Sequence, residues 1–227
     1  MEDKIKTQEL FDDLINKSIL KQDVYKKTLT SFNMLKTGLN DLVTKYKEQK
    51  SENAQKIPFK FKDRSEFEAE IKFGGDTLVF MMHTNIFEFS RNHEVMKTPY
   101  IREDSERSYC GIINIFNFLT DSFKYNRVND MGYLIGRIFI NKDMHYFIEG
   151  KREIGFLYQS FGNSIMNQEV ACNILESAIK YTINFDLLTP PYDNLKEVTV
   201  QEFISAIDSM RMKTGKRLGF KFQADME

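Results

Sequence analysis

The chain has 227 residues, of which 41% are hydrophobic and 29% charged, a balance typical of a globular protein and not of a disordered one. Its formal net charge is -1, so a general electrostatic attraction to nucleic acid is not expected. The first residues, MEDKIKTQELFDDL, lack the apolar core of a signal peptide, and no window is apolar enough to predict a membrane span. The two cysteines, Cys110 and Cys172, lie far apart, which predicts reduced thiols in a cytoplasmic protein.

The first predicted element is a long helix over residues 5–47. This segment contains no proline and a single glycine, Gly38, and it is rich in good helix formers. Within it, apolar residues recur at the three- and four-residue steps typical of a coiled-coil seam: Phe32, Leu35, Leu39, Leu42 and Tyr46. Polar residues interrupt this seam before Leu14 and Phe11. One continuous helix and two helices joined near residues 21–23 both fit, and the lack of Gly or Pro at the joint favours one helix.

The length of this helix predicts self-association. About 42 helical residues span about 60 Å, whereas the rest of the chain is expected to fold into a body roughly 40 Å across. We therefore expect residues 1–50 to form a coiled-coil-like segment that mediates a homodimer, and residues 57–227 to form an α+β domain. The alternative is a bent or broken helix that folds onto its own body.

Alternating apolar and charged residues predict β-strands after a polar linker at residues 48–56. The segments IPFKF and EFEAEIKF place on one side the residues Phe59, Phe61, Phe67, Ala69, Ile71 and Phe73. Gly74-Gly75-Asp76 predicts a hairpin turn, and residues 77–89 a third, more buried strand. Residues 90–108 predict an exposed loop with a short strand near Tyr100, while residues 109–125 fit a helix face or a buried strand.

The segment at 132–160 predicts a three-stranded antiparallel meander, because two turn signals, NKD and EGKR, separate three β-rich runs. In the second turn, Gly150 fits a type II′ hairpin that would set Glu149 opposite Arg152. Further along, residues 167–185 place apolar side chains on one helical face, and the prolines of TPPY end that helix. Thr199 and Glu202 have the spacing of a capping box for a second C-terminal helix.

The histidines do not predict a metal site. His83, His93 and His145 share no metal-ligand spacing. His83 is predicted to be a core or half-buried residue satisfied by one backbone hydrogen bond, and His93 to be solvated. The sequence also contains no nucleophile elbow, P-loop or dinucleotide fingerprint. No cofactor is therefore expected.

A polar set on the predicted meander is the best candidate for a ligand-binding surface. Arg137 interrupts the apolar run LIGRIFI, where it must pair with an acid, reach a sheet edge or face a ligand. The set comprises Arg137, His145, Glu149, Arg152 and Tyr158. A small anionic ligand is the chemistry that an exposed arginine would favour.

The expected fold is an α+β structure with an antiparallel sheet of about five to seven strands, C-terminal helices packed on it and a long N-terminal helix in front. The first functional hypothesis is a non-enzymatic module for ligand sensing or protein interaction. The alternative is a small hydrolase or transferase that acts on an anionic metabolite with Arg137, His145 and Glu149. A third hypothesis is nucleic-acid binding through a basic cluster near the C-terminus, and the net charge opposes it. This cluster comprises Arg211, Lys213, Lys216, Arg217 and Lys221.

Overall fold

The computed structural model describes residues 2–49, 51–126, 128, 130–150, 161–185, 192, 197 and 199–201. Its helices are α1 Glu2–Lys47, α2 Glu52–Lys56, α3 Pro99–Glu103, α4 Thr120–Lys124 and α5 Gln168–Ile183. Its strands are β1 Phe59–Ser65, β2 Glu68–Phe73, β3 Asp76–Met82, β4 Phe87–Glu88, β5 Tyr109–Leu119, β6 Tyr133–Asn141 and β7 Tyr146–Gly150. They form one seven-stranded antiparallel sheet in the order β1-β2-β3-β5-β6-β7, with β4 paired to β5. The predicted α+β class is confirmed.

The first two strands follow the alternation of the sequence. The even-numbered charged residues of β1 and β2 lie on one face of the sheet, while Ala69, Ile71 and Phe73 are buried on the other. A tight turn joins β2 to β3, and Gly74 adopts a positive φ of 53° there, a conformation that favours glycine. The predicted hairpin is therefore present.

The third strand is shorter than predicted. It ends at Met82, and pairing resumes only at β4, so residues 83–86 leave the ladder with β5. The polar run His-Thr-Asn at 83–85 marks this break. His83 is half-buried, and its Nδ1 accepts one backbone hydrogen bond from the Asn85 N–H at 3.0 Å. The single backbone bond predicted for His83 is confirmed, whereas a continuous strand over residues 77–89 was wrong.

Residues 90–108 form short helical turns, and the predicted strand near Tyr100 was wrong. Two 3₁₀ turns, Glu94–Lys97 and Ser105–Ser108, flank α3. Pro99 occupies the start of α3, where its missing N–H costs no helical hydrogen bond. Proline therefore directs this segment to a helix.

The ambiguous segment at 109–125 is a strand followed by one short helix. The central strand β5 is buried on both faces, since Ile113 and Ile115 belong to the main core and Cys110 to a second cluster on the opposite face. Burial on both faces explains why this strand is apolar without a clear period of two. Burial also raises the pKa of the Cys110 thiol far above its usual range, as expected for a structural cysteine.

The main core lies between one face of the sheet and the helices α1 and α5. Helix α5 begins after Asn167, whose side chain accepts a hydrogen bond from the Val170 N–H at 2.9 Å. Its predicted apolar face is confirmed, with Ile174, Ala178 and Tyr181 buried. The second cluster covers the other face of the sheet and is rich in aromatic side chains, among them Phe89, Phe139 and Phe161.

Helix α1 is one continuous element of 46 residues, about 70 Å long at 1.5 Å per residue. The seam predicted to meet a partner packs instead within the chain's own core, where Phe32, Leu35 and Leu39 are completely buried. The approach to the sheet is close: a Cβ on Gly111 of β5 would lie 2.1 Å from Thr28 Oγ1. Glycine at 111 thus permits this contact.

Candidate functional site

Arg137 and Glu149 face each other on neighbouring strands. They are direct partners in the register of β6 and β7, and an Arg137 Nη atom donates a hydrogen bond to Glu149 Oε2. The pairing explains the arginine in an apolar run, because the carboxylate compensates its charge. The side chain of Arg137 remains 42% exposed, so this pair lies on the surface of the sheet.

His93 completes this polar group, and its prediction as a solvated residue was wrong. Its Nδ1 accepts a hydrogen bond from the Val95 N–H at 3.2 Å, and its Nε2 lies 3.1 Å from Glu149 Oε1. Because Nδ1 acts as an acceptor, the proton of the neutral ring is on Nε2 and is donated to Glu149. The ring also lies against Phe89, with centroids 4.7 Å apart. His93 thus holds the 89–97 segment on the sheet.

His145 lies on the same sheet face as Arg137 and Glu149 but belongs to a separate polar group. Its ring stacks on Tyr100 with centroids 4.8 Å apart and planes 6° from parallel. Its Nδ1 donates to the Phe161 carbonyl at 3.0 Å, because a carbonyl oxygen only accepts. Phe139 and Phe147, paired across β6 and β7, occupy the same face between the two groups.

Tyr100 links this second polar group to the loop after β6. Its hydroxyl accepts a hydrogen bond from Asn141 Nδ2 at 2.9 Å and donates one to Asp143 Oδ2 at 3.2 Å. Burial, reinforced by the nearby Asp143 carboxylate, raises the pKa of Tyr100 to about 12. The phenol therefore stays protonated at neutral pH and acts as a structural hydrogen-bond donor.

The chemistry of the predicted set follows from these contacts. Glu149 accepts from both Arg137 and His93, so its two carboxylate oxygens are already engaged. The negative charge of Glu149 also offsets the positive charge of Arg137, which would otherwise attract an anionic ligand. The remaining two residues of the predicted set, Arg152 and Tyr158, lie outside the described residues, as does the third run of the meander. The ligand-binding role of the set stays a prediction.

A second candidate surface lies at the start of α1. Every residue from 6 to 17 is exposed, and Leu20 is the first buried side chain among those of α1 that the structure describes from residue 6 onward. We call residues 2–19 the overhang and residues 20–47 the anchored part of α1. Four large apolar side chains of the overhang form what we call the apolar patch: Leu10 is 62% exposed, Phe11 50%, Leu14 62% and Ile15 53%. Exposed apolar groups clustered in this way mark interaction surfaces.

A groove opens beside the anchored part, close to the overhang. It has a volume of about 620 Å³ and lies between α1 and the 83–87 segment that interrupts the third strand. Helix α1 contributes Lys21, Gln22, Tyr25 and Lys26, and the interrupted strand contributes Thr84, Asn85, Ile86 and Phe87. Phe87 is 39% exposed at this site. The groove therefore combines an apolar floor with two lysines.

Sequence reasoning missed most of this surface for an identifiable reason. The predicted seam started from the regular apolar spacing at residues 32–46, which the chain's own core uses. The apolar patch has adjacent pairs, Leu10-Phe11 and Leu14-Ile15, and such pairs form a stripe wider than a coiled-coil seam. The groove was not predictable, because it depends on the break in the third strand.

Two classes of site are absent from the part of the chain that the structure describes. No cluster of three His, Cys, Asp or Glu side chains has a geometry suited to a metal ion there. Among the same residues, no helix is long and apolar enough to cross a membrane. No protein-family model, curated protein or solved structure matches this chain, so its function must be argued from its own surfaces.

Proposed function

We propose that this protein is a non-enzymatic cytoplasmic module for protein interaction, and that its copies form a homodimer through the overhang of α1. The observation that supports the proposal is the apolar patch: four large apolar side chains, each at least half exposed, on a helix that extends beyond its own core. Burying one such side chain completely stabilises a complex by about 1.5–3 kcal/mol. A helical end with this composition is expected to bind another protein surface.

The proposed partner of the overhang is a second copy of the same chain. Most soluble oligomers are symmetric assemblies of one chain, in which the same surface is used twice. The overhang also carries Lys6 beside Glu9, Asp12 and Asp13, so its polar side suits solvent and its apolar side suits a partner. Self-association therefore needs no further component.

The enzymatic alternative, a hydrolase or transferase for an anionic metabolite, has weaker support. Its three residues share one sheet face, but Glu149 already accepts two hydrogen bonds and His145 is stacked on Tyr100. A general base needs a free lone pair within reach of its substrate. Of the two candidate bases, His145 keeps such a lone pair on Nε2, because its Nδ1 donates to the Phe161 carbonyl, so the alternative depends on that one ring.

Sedimentation equilibrium of the full chain tests the proposal. The wild-type protein is expected to be a dimer at micromolar concentration, and Leu14→Glu to be a folded monomer, because the new carboxylate would be desolvated at the interface. Met131→Glu is the matched control, since Met131 is also apolar and exposed, at 68%, but lies outside α1. A monomeric wild-type chain over the whole concentration range would contradict the proposal.

A further inference from the structure

The apolar patch and the groove lie on the same side of α1. Each residue of the patch is followed, eleven positions later, by a residue that lines the groove. Eleven residues make about three turns of an α-helix, so the two sets point in the same direction. The patch residues Leu10, Phe11, Leu14 and Ile15 correspond in this way to the groove residues Lys21, Gln22, Tyr25 and Lys26. The patch would project in the direction in which the groove opens.

This repeat makes the surface self-complementary. A two-fold axis perpendicular to α1, midway between patch and groove, exchanges the two positions between a pair of antiparallel helices. The midpoint falls at Ser18, a small residue where two helices can approach closely. Each copy then gives one patch and receives one, as a closed two-fold interface requires.

We propose that two copies of the chain cross antiparallel at Ser18, so that the apolar patch of each fills the groove of the other. The inference rests on the homodimer proposed above and adds its site and its orientation. It places Leu14 opposite Gln22 of the partner subunit, and Phe11 opposite Tyr25 of the partner subunit. Tyr25, Ile86 and Phe87 supply the apolar floor that receives the patch.

Charge complementarity favours the same arrangement. The segment from residue 6 to 15 carries Glu9, Asp12 and Asp13 against one lysine, Lys6. The groove is lined by Lys21 and Lys26, and of these Lys26 has Asp23 as a neighbour at 3.8 Å. The three carboxylates lie on the solvent side of the overhang, so they attract the lysines of the partner's groove across the width of the helix and not by direct contact. A parallel pairing would instead place the acidic ends of both copies together.

Site-specific cysteine cross-linking tests the orientation. The variants Leu14→Cys and Gln22→Cys are each treated alone and as a mixture with a short bifunctional thiol reagent. The antiparallel crossing predicts cross-linked dimer mainly in the mixture, and it predicts that Ser18→Cys links to itself. The wild-type protein is the control for the native thiols, of which Cys110 is buried.

The outcomes separate the two proposals. Self-linking of Leu14→Cys and of Gln22→Cys, with no gain on mixing, would overturn the antiparallel crossing and leave the homodimer intact. A wild-type chain that stays monomeric would overturn both.

A groove variant supplies an independent measurement. Phe87→Glu, which leaves the overhang unchanged, is expected to raise the dimer dissociation constant at least about tenfold, since each dimer contains the contact twice. Val128→Glu, at an exposed apolar position outside α1 and the groove, is the matched control. A Phe87→Glu protein that dimerises as tightly as wild type would show that the groove is not the docking site.

Discussion

The two parts of helix α1 carry similar apolar content but use it differently. In the anchored part, Phe32, Leu35 and Leu39 are completely buried in the main core beside the sheet and α5. In the overhang, Leu10 and Leu14 are more than half exposed, although they lie five turns before Thr28 and Phe32 and thus on the same side of the helix. The apolar spacing is the same in both parts of the helix. The overhang is exposed because the core that covers the anchored part does not extend as far as the overhang.

The comparison shows that an apolar helical stripe identifies a contact surface without identifying its partner. The same spacing serves the chain's own core in one half of α1. We infer that it serves a second copy in the other half. Each of the following predictions tests how sharply these two parts are separated.

The largest expected difference is between Leu35→Ala and Leu14→Ala, the same substitution in the two parts. Leu35 is completely buried, so its truncation should lower the free energy of unfolding by about 2–5 kcal/mol through lost burial and a cavity. Leu14→Ala should change the unfolding free energy of the monomer by less than about 0.5 kcal/mol. Urea denaturation at low protein concentration measures both. Equal losses would mean that the overhang is packed on its own body.

The contact between the anchored part and β5 gives the next largest effect. An alanine Cβ at 111 would meet Thr28 Oγ1 at 2.1 Å, so Gly111→Ala is expected to cost about 1–3 kcal/mol of unfolding free energy. Gly75→Ala is the control, because nothing lies within 4 Å of a Cβ there. Adding Thr28→Ala should recover part of the loss, which a double-mutant cycle measures. Strict additivity would contradict a direct clash.

An ion pair at the boundary between the two parts makes a pH-dependent contribution to the free energy of unfolding. Lys142, beside Ile19 and Leu20 of α1, lies 2.8 Å from Asp104 Oδ2, and its hydrogen bond lowers the pKa of that carboxyl below the usual 3.8. A lowered carboxyl pKa stabilises the fold above the usual value, and this stabilisation disappears as the pH falls through the folded pKa.

We therefore expect Lys142→Met to lose about 1 kcal/mol of unfolding free energy at neutral pH. The difference from wild type should begin to shrink as the pH falls through the usual pKa of the carboxyl, and it should vanish in acid below the lowered pKa of the folded state. Chemical denaturation at both pH values measures it. A difference that persists unchanged in acid would indicate lost packing by the lysine stem and not the ion pair.

The smallest effect is expected for Lys17, the last residue of the fully exposed stretch. Its Nζ lies 3.6 Å from the centroid of the Tyr109 ring, a cation–π contact worth about 0.5–1 kcal/mol at an exposed site. Lys17→Met should lower the unfolding free energy by that amount, whereas Lys6→Met, nearer the N-terminus of the overhang, should not. Equal effects of the two substitutions in urea denaturation would mean that the contact contributes nothing.

The fold was predictable where local pattern determines the structure. The alternation around Ala69, Ile71 and Phe73, the turn at Gly74 and the apolar face of α5 were all correctly identified from spacing alone. The failures have two causes. The break after Met82 and the placement of His93 against Glu149 depend on how residues 83–108 pack on the second sheet face, whereas the helix at Tyr100 begins at Pro99, a local signal that the predicted strand overlooked.

The candidate site was predictable only in part, because it also depends on tertiary contacts. Arg137 was noticed because it interrupts an apolar run, and its register partner Glu149 belongs to the same predicted meander. The groove beside α1 joins residues about 60 positions apart in sequence, and no local pattern connects them.

The order of strands in the sheet has a consequence for the chain during its synthesis. Each strand pairs with strands near it in sequence, whereas α1 and α5 pack together from the two ends of the described chain. Roughly 120 residues separate them, which corresponds to a delay on the order of ten seconds on the ribosome. During that interval the anchored part of α1 has an incomplete core against which to pack. The nascent chain should therefore depend on chaperones more than its simple sheet order suggests.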